Sequence, residues 1–195
     1  MCGLPDAAAI NMSVAEVQPL SGTFPSDADG DDLALLLLAS PVRFSATLRP
    51  VCLPPNERSV YTGRNAMVVG FGGNDTSALV ASAGGNGTVT GFTERCRPRA
   101  LLQPVVASRE CASVSQGPSP GCVGSPGLQQ VVCPSDAGSL IQVRGARGEV
   151  QLIGVMSNTN NCTEGETGPA QFTLTAPNMR GLLRRMAGSC FCAAP

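Results

Sequence analysis

One short segment carries most of the side chains that could do chemistry. Residues 133–140 read CPSDAGSL, so the hydroxyls of Ser135 and Ser139 flank the carboxylate of Asp136 in a polar turn before an apolar strand. A serine hydroxyl attacks a carbonyl only when a neighbouring base accepts its proton. Histidine is the commonest base near neutral pH, and the sequence contains none. The segment therefore offers hydroxyls for acyl transfer without the base that would activate them.

A second carboxylate lies next to a long apolar run. Asp32 directly precedes the wholly apolar run at 33–38, which reads LALLLL. Burying a carboxylate costs free energy unless it is hydrogen-bonded. Asp32 is therefore either a turn residue that caps the strand in solvent or a residue held by a specific partner, and the residues alone leave both interpretations open.

The composition indicates which elements position these groups. Hydrophobic residues make up 43% of the 195 positions and charged residues 14%, with 23 Gly and 16 Pro. Such a turn-rich, helix-poor composition favours an all-β fold. One helix is predicted at 177–187, because apolar residues recur there at helical spacing. These residues are Met179, Leu182, Leu183 and Met186.

Charge and cysteine content exclude several functions. The net charge of −1 gives no general attraction to nucleic acid or to an anionic membrane, and no apolar run is long enough to span a bilayer. Nine cysteines indicate an oxidising compartment, and their spacing matches no zinc motif, so we predict no metal and no cofactor. Residues 1–10 show no signal-peptide pattern. Four sequons predict glycosylation at Asn11, Asn74, Asn86 and Asn161.

Several segments, in this order along the chain, resemble chymotrypsin/trypsin-like serine peptidases. The segment 133–140 is similar to that family's nucleophile loop, and 32–38 is similar to the strand that begins with the family's orienting aspartate. Further matches lie at 48–55, 65–72, 149–157 and 168–174. The resemblance implies that Asp32 is the remnant orienting aspartate and that the nucleophile position is occupied by Ala137. The catalytic histidine has no counterpart.

The resemblance also implies roles for neighbouring residues. The oxyanion loop corresponds to Ser135, Asp136, Ala137 and Gly138, and the substrate cleft to Val131, Ser157, Asn158 and Thr159. The implied disulfides are Cys111–Cys122 and Cys133–Cys162. In the family, a newly freed terminus pairs with the aspartate at position 136. The chain has no such sequence, so we expect the Asp136 carboxylate to turn to solvent or to accept local N–H bonds.

These matches predict a domain arrangement. We expect a trypsin-like Greek-key double barrel whose first barrel is largely missing. Residues 1–60 would be the remnant of that barrel with the linker, 61–188 the second barrel with a terminal helix, and 189–195 a cysteine-containing tail.

The predicted function is that of an inactive peptidase homologue that binds a protein or peptide in the remnant cleft, outside the cell. Two alternatives remain open at this point. One is an incomplete product of a gene for a secreted peptidase homologue. The other is an unrelated structural protein stapled by disulfides.

Overall fold

The described strands and helices follow the all-β prediction. The computed structural model describes residues 10–20, 32–70, 99–111, 120–125, 136–158, 169–186 and 192–193. The strands within these residues are β1 Val14–Pro19, β2 Ala34–Leu38, β3 Cys52–Leu53, β4 Asn65–Gly70, β5 Arg99–Val106, β6 Pro120–Val123, β7 Leu140–Arg144, β8 Val150–Asn158, β9 Ala170–Leu174 and β10 Cys192–Ala193. The helix α1 spans Thr175–Arg185, and a 3-10 helix spans Ser108–Cys111.

Six of the strands close into a barrel. Antiparallel pairing runs from β4 to β5, β6, β9, β8 and β7, and β7 pairs back with β4. The predicted all-β fold with a barrel and a C-terminal helix is therefore confirmed. Strand β3 lies in the segment assigned to the first unit, yet it pairs in parallel with β8, and β10 pairs in parallel with β3.

The barrel interior follows from strand alternation. In β4, Ala66, Val68 and Gly70 face inward and are buried, and in β7 Ile141 and Val143 do the same, because side chains of a strand alternate between its two faces. Phe172 is fully buried in this core. Its ring fills space left by Gly121 and Gly154, since a Cβ at either glycine would lie within 2.3 Å of a ring carbon.

Helix α1 packs on the barrel with its apolar stripe. Met179 and Leu182 are buried, and Arg180, Arg184 and Arg185 lie on the exposed side, as their spacing predicts. The helix begins at Thr175, two residues before the predicted start. The Thr175 hydroxyl donates a 2.6 Å hydrogen bond to the Leu152 carbonyl, which fixes the first helical residue directly on β8.

Strands β1 and β2 form a separate two-stranded antiparallel sheet. The Leu20 N–H donates to the Leu33 carbonyl at 2.9 Å, which continues the pairing of the two strands. The Arg185 guanidinium donates to the Leu20 carbonyl at 2.8 Å and so ties this end of the sheet to helix α1. Beyond this end, large apolar side chains remain exposed, because two strands cannot cover both of their own faces. They are Val14, Val17, Leu36, Leu37 and Leu38.

A polar chain runs from the barrel core to the surface. The Tyr61 hydroxyl donates to Gln151 Oε1 at 3.3 Å, and Gln151 Nε2 donates to Glu149 Oε1 at 2.8 Å. The hydrogen bond from Gln151 lowers the pKa of Glu149. Burial raises the pKa of Tyr61, opposed by its hydrogen bond with Ser59 and by the charge of Arg64.

The raised pKa of Tyr61 can be measured directly, because Tyr61 is the single tyrosine and the chain has no tryptophan. We expect tyrosinate absorbance at 295 nm to appear with a midpoint above 10.0 in the native protein and to return to about 10 in denaturant. The unfolded chain then ionises first, so the contribution of Tyr61 to the free energy of unfolding should be lost only as the pH rises above about 10. A native midpoint at or below the denatured one would contradict the burial of this hydroxyl.

Candidate functional site

Residues 136–139 of the nucleophile segment form a tight turn that is hydrogen-bonded to β8. The Ser139 N–H donates to the Asp136 carbonyl at 2.9 Å, and Gly138 takes a φ of 85°, which a turn accepts most readily at glycine. The Gly138 N–H donates to the Met156 carbonyl and the Met156 N–H to the Ser139 carbonyl, both at 2.8 Å. These bonds place the turn beside the last residues of β8.

Ala137 lies at the tip of this turn and is exposed. A methyl group offers neither a nucleophile nor a proton, so the most accessible side chain of the turn is chemically inert. The nearby Ser139 hydroxyl lies against β4 instead. Its Oγ would lie only 2.8 Å from a Cβ built on Gly70, so it points toward the barrel wall at the end of β4.

The Asp136 carboxylate is buried, with 3% of its surface exposed. This corrects the first of the two expectations for Asp136, that it turns to solvent. The space comes from Gly70: a Cβ at that position would lie 2.2 Å from Asp136 Oδ1. Burial of a carboxylate requires hydrogen bonds, and acceptance of local N–H bonds remains our prediction for it.

Asp32 and Ser157 meet, although 125 residues separate them. The Ser157 hydroxyl donates a 2.6 Å hydrogen bond to Asp32 Oδ2. The sequence indicated each residue as part of the site but not the bond between them. The one signal was the position of a carboxylate directly before a buried Leu33, which calls for a partner. Since Ser157 follows Met156, this bond and the Ala137 turn lie at the same end of β8.

The remaining predicted site residues divide into two groups. Asn158 ends β8, where it pairs with Gln171 of β9, and Asn11 is exposed. Outside the described residues lie Val131, Cys133, Ser135, Thr159, Cys162 and the sequons at Asn74, Asn86 and Asn161.

Disulfide chemistry is present in the described part of the chain. Cys111 and Cys122 form a disulfide with their Cα atoms 6.0 Å apart, which is the pairing that the family resemblance implies. Cys52 is also disulfide-bonded. Among the described residues, no three His, Cys, Asp or Glu side chains group as metal ligands, and no helix is both long enough and apolar enough to cross a membrane.

The barrel, the terminal helix and the turn that presents position 137 define a trypsin-like serine protease domain. The family model described as Trypsin matches residues 6–179, so the chain belongs to this family.

Individual relatives support the same assignment. Vitamin K-dependent protein C of Macaca mulatta is 31% identical over 140 residues, which cover 68% of this chain and 80% of the relative. The Suppressor of tumorigenicity 14 protein homolog of Bos taurus is 29% identical over 111 residues, or 57% of this chain. Serine protease filzig of Drosophila melanogaster is 26% identical over 140 residues. The matches span only 13% of the bovine protein and 7% of the fly protein.

Proposed function

We propose that this chain is a pseudoprotease, a trypsin-family domain that binds a polypeptide without hydrolysing it. The observation that carries the proposal is the exposed Ala137 at the tip of the nucleophile turn, in a sequence without histidine.

The proposal rests on the two groups that acyl transfer requires, a nucleophile and a base. Covalent attack on a peptide carbonyl needs an O–H or S–H group at the turn and a base that removes its proton. Ala137 supplies neither the oxygen nor the proton. We propose that Asp32 is the remnant orienting aspartate; its carboxylate accepts a hydrogen bond from Ser157, and the sequence holds no imidazole for it to orient. The carboxylate therefore helps to shape the site and has no step to catalyse.

The binding role rests on what remains around the turn. The end of β8, with Ser157 and Asn158, lies beside the turn of Asp136, Ala137 and Gly138. We infer that an extended segment of a protein partner lies beside residues 157–158, because the pairing of β8 with β7 ends at Val155 and peptides commonly add to strands through main-chain hydrogen bonds. We further propose that Val131 gives the cleft an apolar floor and that Ser135 and Thr159 border it.

We propose an extracellular location, supported by the disulfides of Cys52 and of Cys111 with Cys122. Asn11, which is exposed, is then a glycosylation site, together with Asn74, Asn86 and Asn161. We also propose a second disulfide, between Cys133 and Cys162.

We propose the domain arrangement predicted from the sequence. Residues 1–60 are the remnant of the first barrel with the linker, 61–188 are the second barrel with its helix, and 189–195 are a cysteine-containing tail.

A fluorophosphonate probe tests whether any serine is activated. We expect no labelling of the purified protein, because the probe reacts only with an activated hydroxyl. An active trypsin provides the positive control, and a Ser139→Ala variant provides the matched background. Labelling of the wild-type chain that disappears in Ser139→Ala or Ser135→Ala would identify a nucleophile and overturn the proposal.

A further inference from the structure

A groove away from the Ala137 turn separates helix α1 from the segment at 55–58. Its volume is about 710 Å³, and its lining residues are Pro55, Asn56, Glu57, Arg58, Met179, Arg180, Leu183 and Arg184. This volume is within the range of pockets that bind small ligands. None of the lining residues belongs to the site described above.

Both walls of the groove are held in place. On one side, Asn56 Oδ1 accepts the Arg58 N–H at 2.9 Å, and the Ser59 hydroxyl donates to the Asn56 carbonyl at 2.9 Å. On the other side, the helix is fixed on the barrel by its buried Met179. A groove between two ordered walls binds with a smaller loss of conformational entropy than a surface that must first become ordered.

The groove combines an apolar base with positive charge. Pro55, Met179 and Leu183 supply the apolar part, and three arginines face a single acidic residue, Glu57. Arg180 bridges to Glu57 at 3.2 Å, whereas Arg58 and Arg184 make no ion pair with any residue in the described ranges. The chain as a whole has a net charge of −1, so this positive charge is local.

We propose that this groove binds an acidic peptide segment of a protein partner, with apolar side chains on the base and carboxylates facing Arg58 and Arg184. Charge complementarity selects the carboxylates, because arginine forms paired hydrogen bonds with them. The apolar base favours a peptide over a sulfated glycan, because a glycan has no apolar side chains to bury against Leu183 and Pro55.

The test uses the full chain and a fluorescein-labelled peptide that repeats Asp-Glu-Leu three times. We expect binding by fluorescence anisotropy that weakens as salt is added. The variant Arg58→Gln/Arg184→Gln should bind about tenfold more weakly, because each lost charge contact contributes up to several-fold. The control Arg43→Gln/Arg109→Gln removes the same charge from exposed positions outside the groove and should change binding less than about twofold.

Two further probes decide the class of ligand. A peptide with Asn and Gln in place of Asp and Glu, and an acidic peptide with Ser in place of Leu, should both bind at least about tenfold more weakly than the parent peptide. A heparin oligosaccharide or the leucine-free acidic peptide binding as tightly as the parent would overturn the peptide assignment. If the groove variant and its control lost the same affinity for the peptide, the groove would not be the binding site. Neither outcome depends on whether the protein hydrolyses peptides.

Discussion

Replacing Gly154 by alanine should lower the free energy of unfolding by about 3 kcal/mol, because the added methyl overpacks the barrel core. The new Cβ would lie 2.2 Å from Phe172 Cδ2 and 2.6 Å from the Thr173 carbonyl oxygen. The ring is fully buried and the carbonyl belongs to the β9 backbone, so neither can move aside without disturbing strand pairing. Urea denaturation followed by far-UV circular dichroism measures the loss.

The matched control is Gly181→Ala, in the interior of helix α1. There the nearest atom to the new Cβ is Leu20 Cδ2 at 3.8 Å, an ordinary contact. Alanine has the higher helix propensity, so this variant should gain about 0.5–1 kcal/mol. A Gly154→Ala protein as stable as the wild type would show that Phe172 does not fill the barrel as described.

Removing the disulfide of Cys111 and Cys122 should cost about 3 kcal/mol, because a bridge that closes a loop of this size restricts the unfolded chain. The two cysteines are 11 residues apart and both are buried. The double variant Cys111→Ala/Cys122→Ala isolates this bridge, whereas a reducing agent would also attack the disulfide of Cys52. The urea midpoint should fall while the far-UV spectrum in buffer is retained.

The single variant Cys111→Ala serves as a comparison, since it breaks the same bridge but leaves the thiol of Cys122. Both variants should lose stability to a similar extent. A loss below about 1 kcal/mol in the double variant would mean that the loop is already ordered in the unfolded chain.

The fold was predictable where the information is local. The apolar run after the segment 133–140 predicted β7, and Met179 and Leu182 at helical spacing predicted the buried face of α1. The family resemblance was inferred from several matching segments that follow one another in the family's order, and the family model matches residues 6–179.

The contacts within the site were not predictable, because they join distant parts of the chain. The burial of Asp136 depends on the missing side chain of Gly70, which no pattern near Asp136 reveals. Likewise, the bond between Asp32 and Ser157 depends on how the base of the two-stranded sheet meets the end of β8. Such positions are set by tertiary packing rather than by local propensity.

The most direct test of the central claim is a search by mass spectrometry for peptide cleavage, with wild-type protein and with Ala137→Ser. The variant restores a hydroxyl at the exposed tip of the turn, but the chain still has no histidine to remove its proton. We therefore predict that neither protein releases products above the buffer control from a diverse peptide mixture. Cleavage by the wild-type chain, at sites that a serine-directed inhibitor protects, would contradict the assignment as a pseudoprotease.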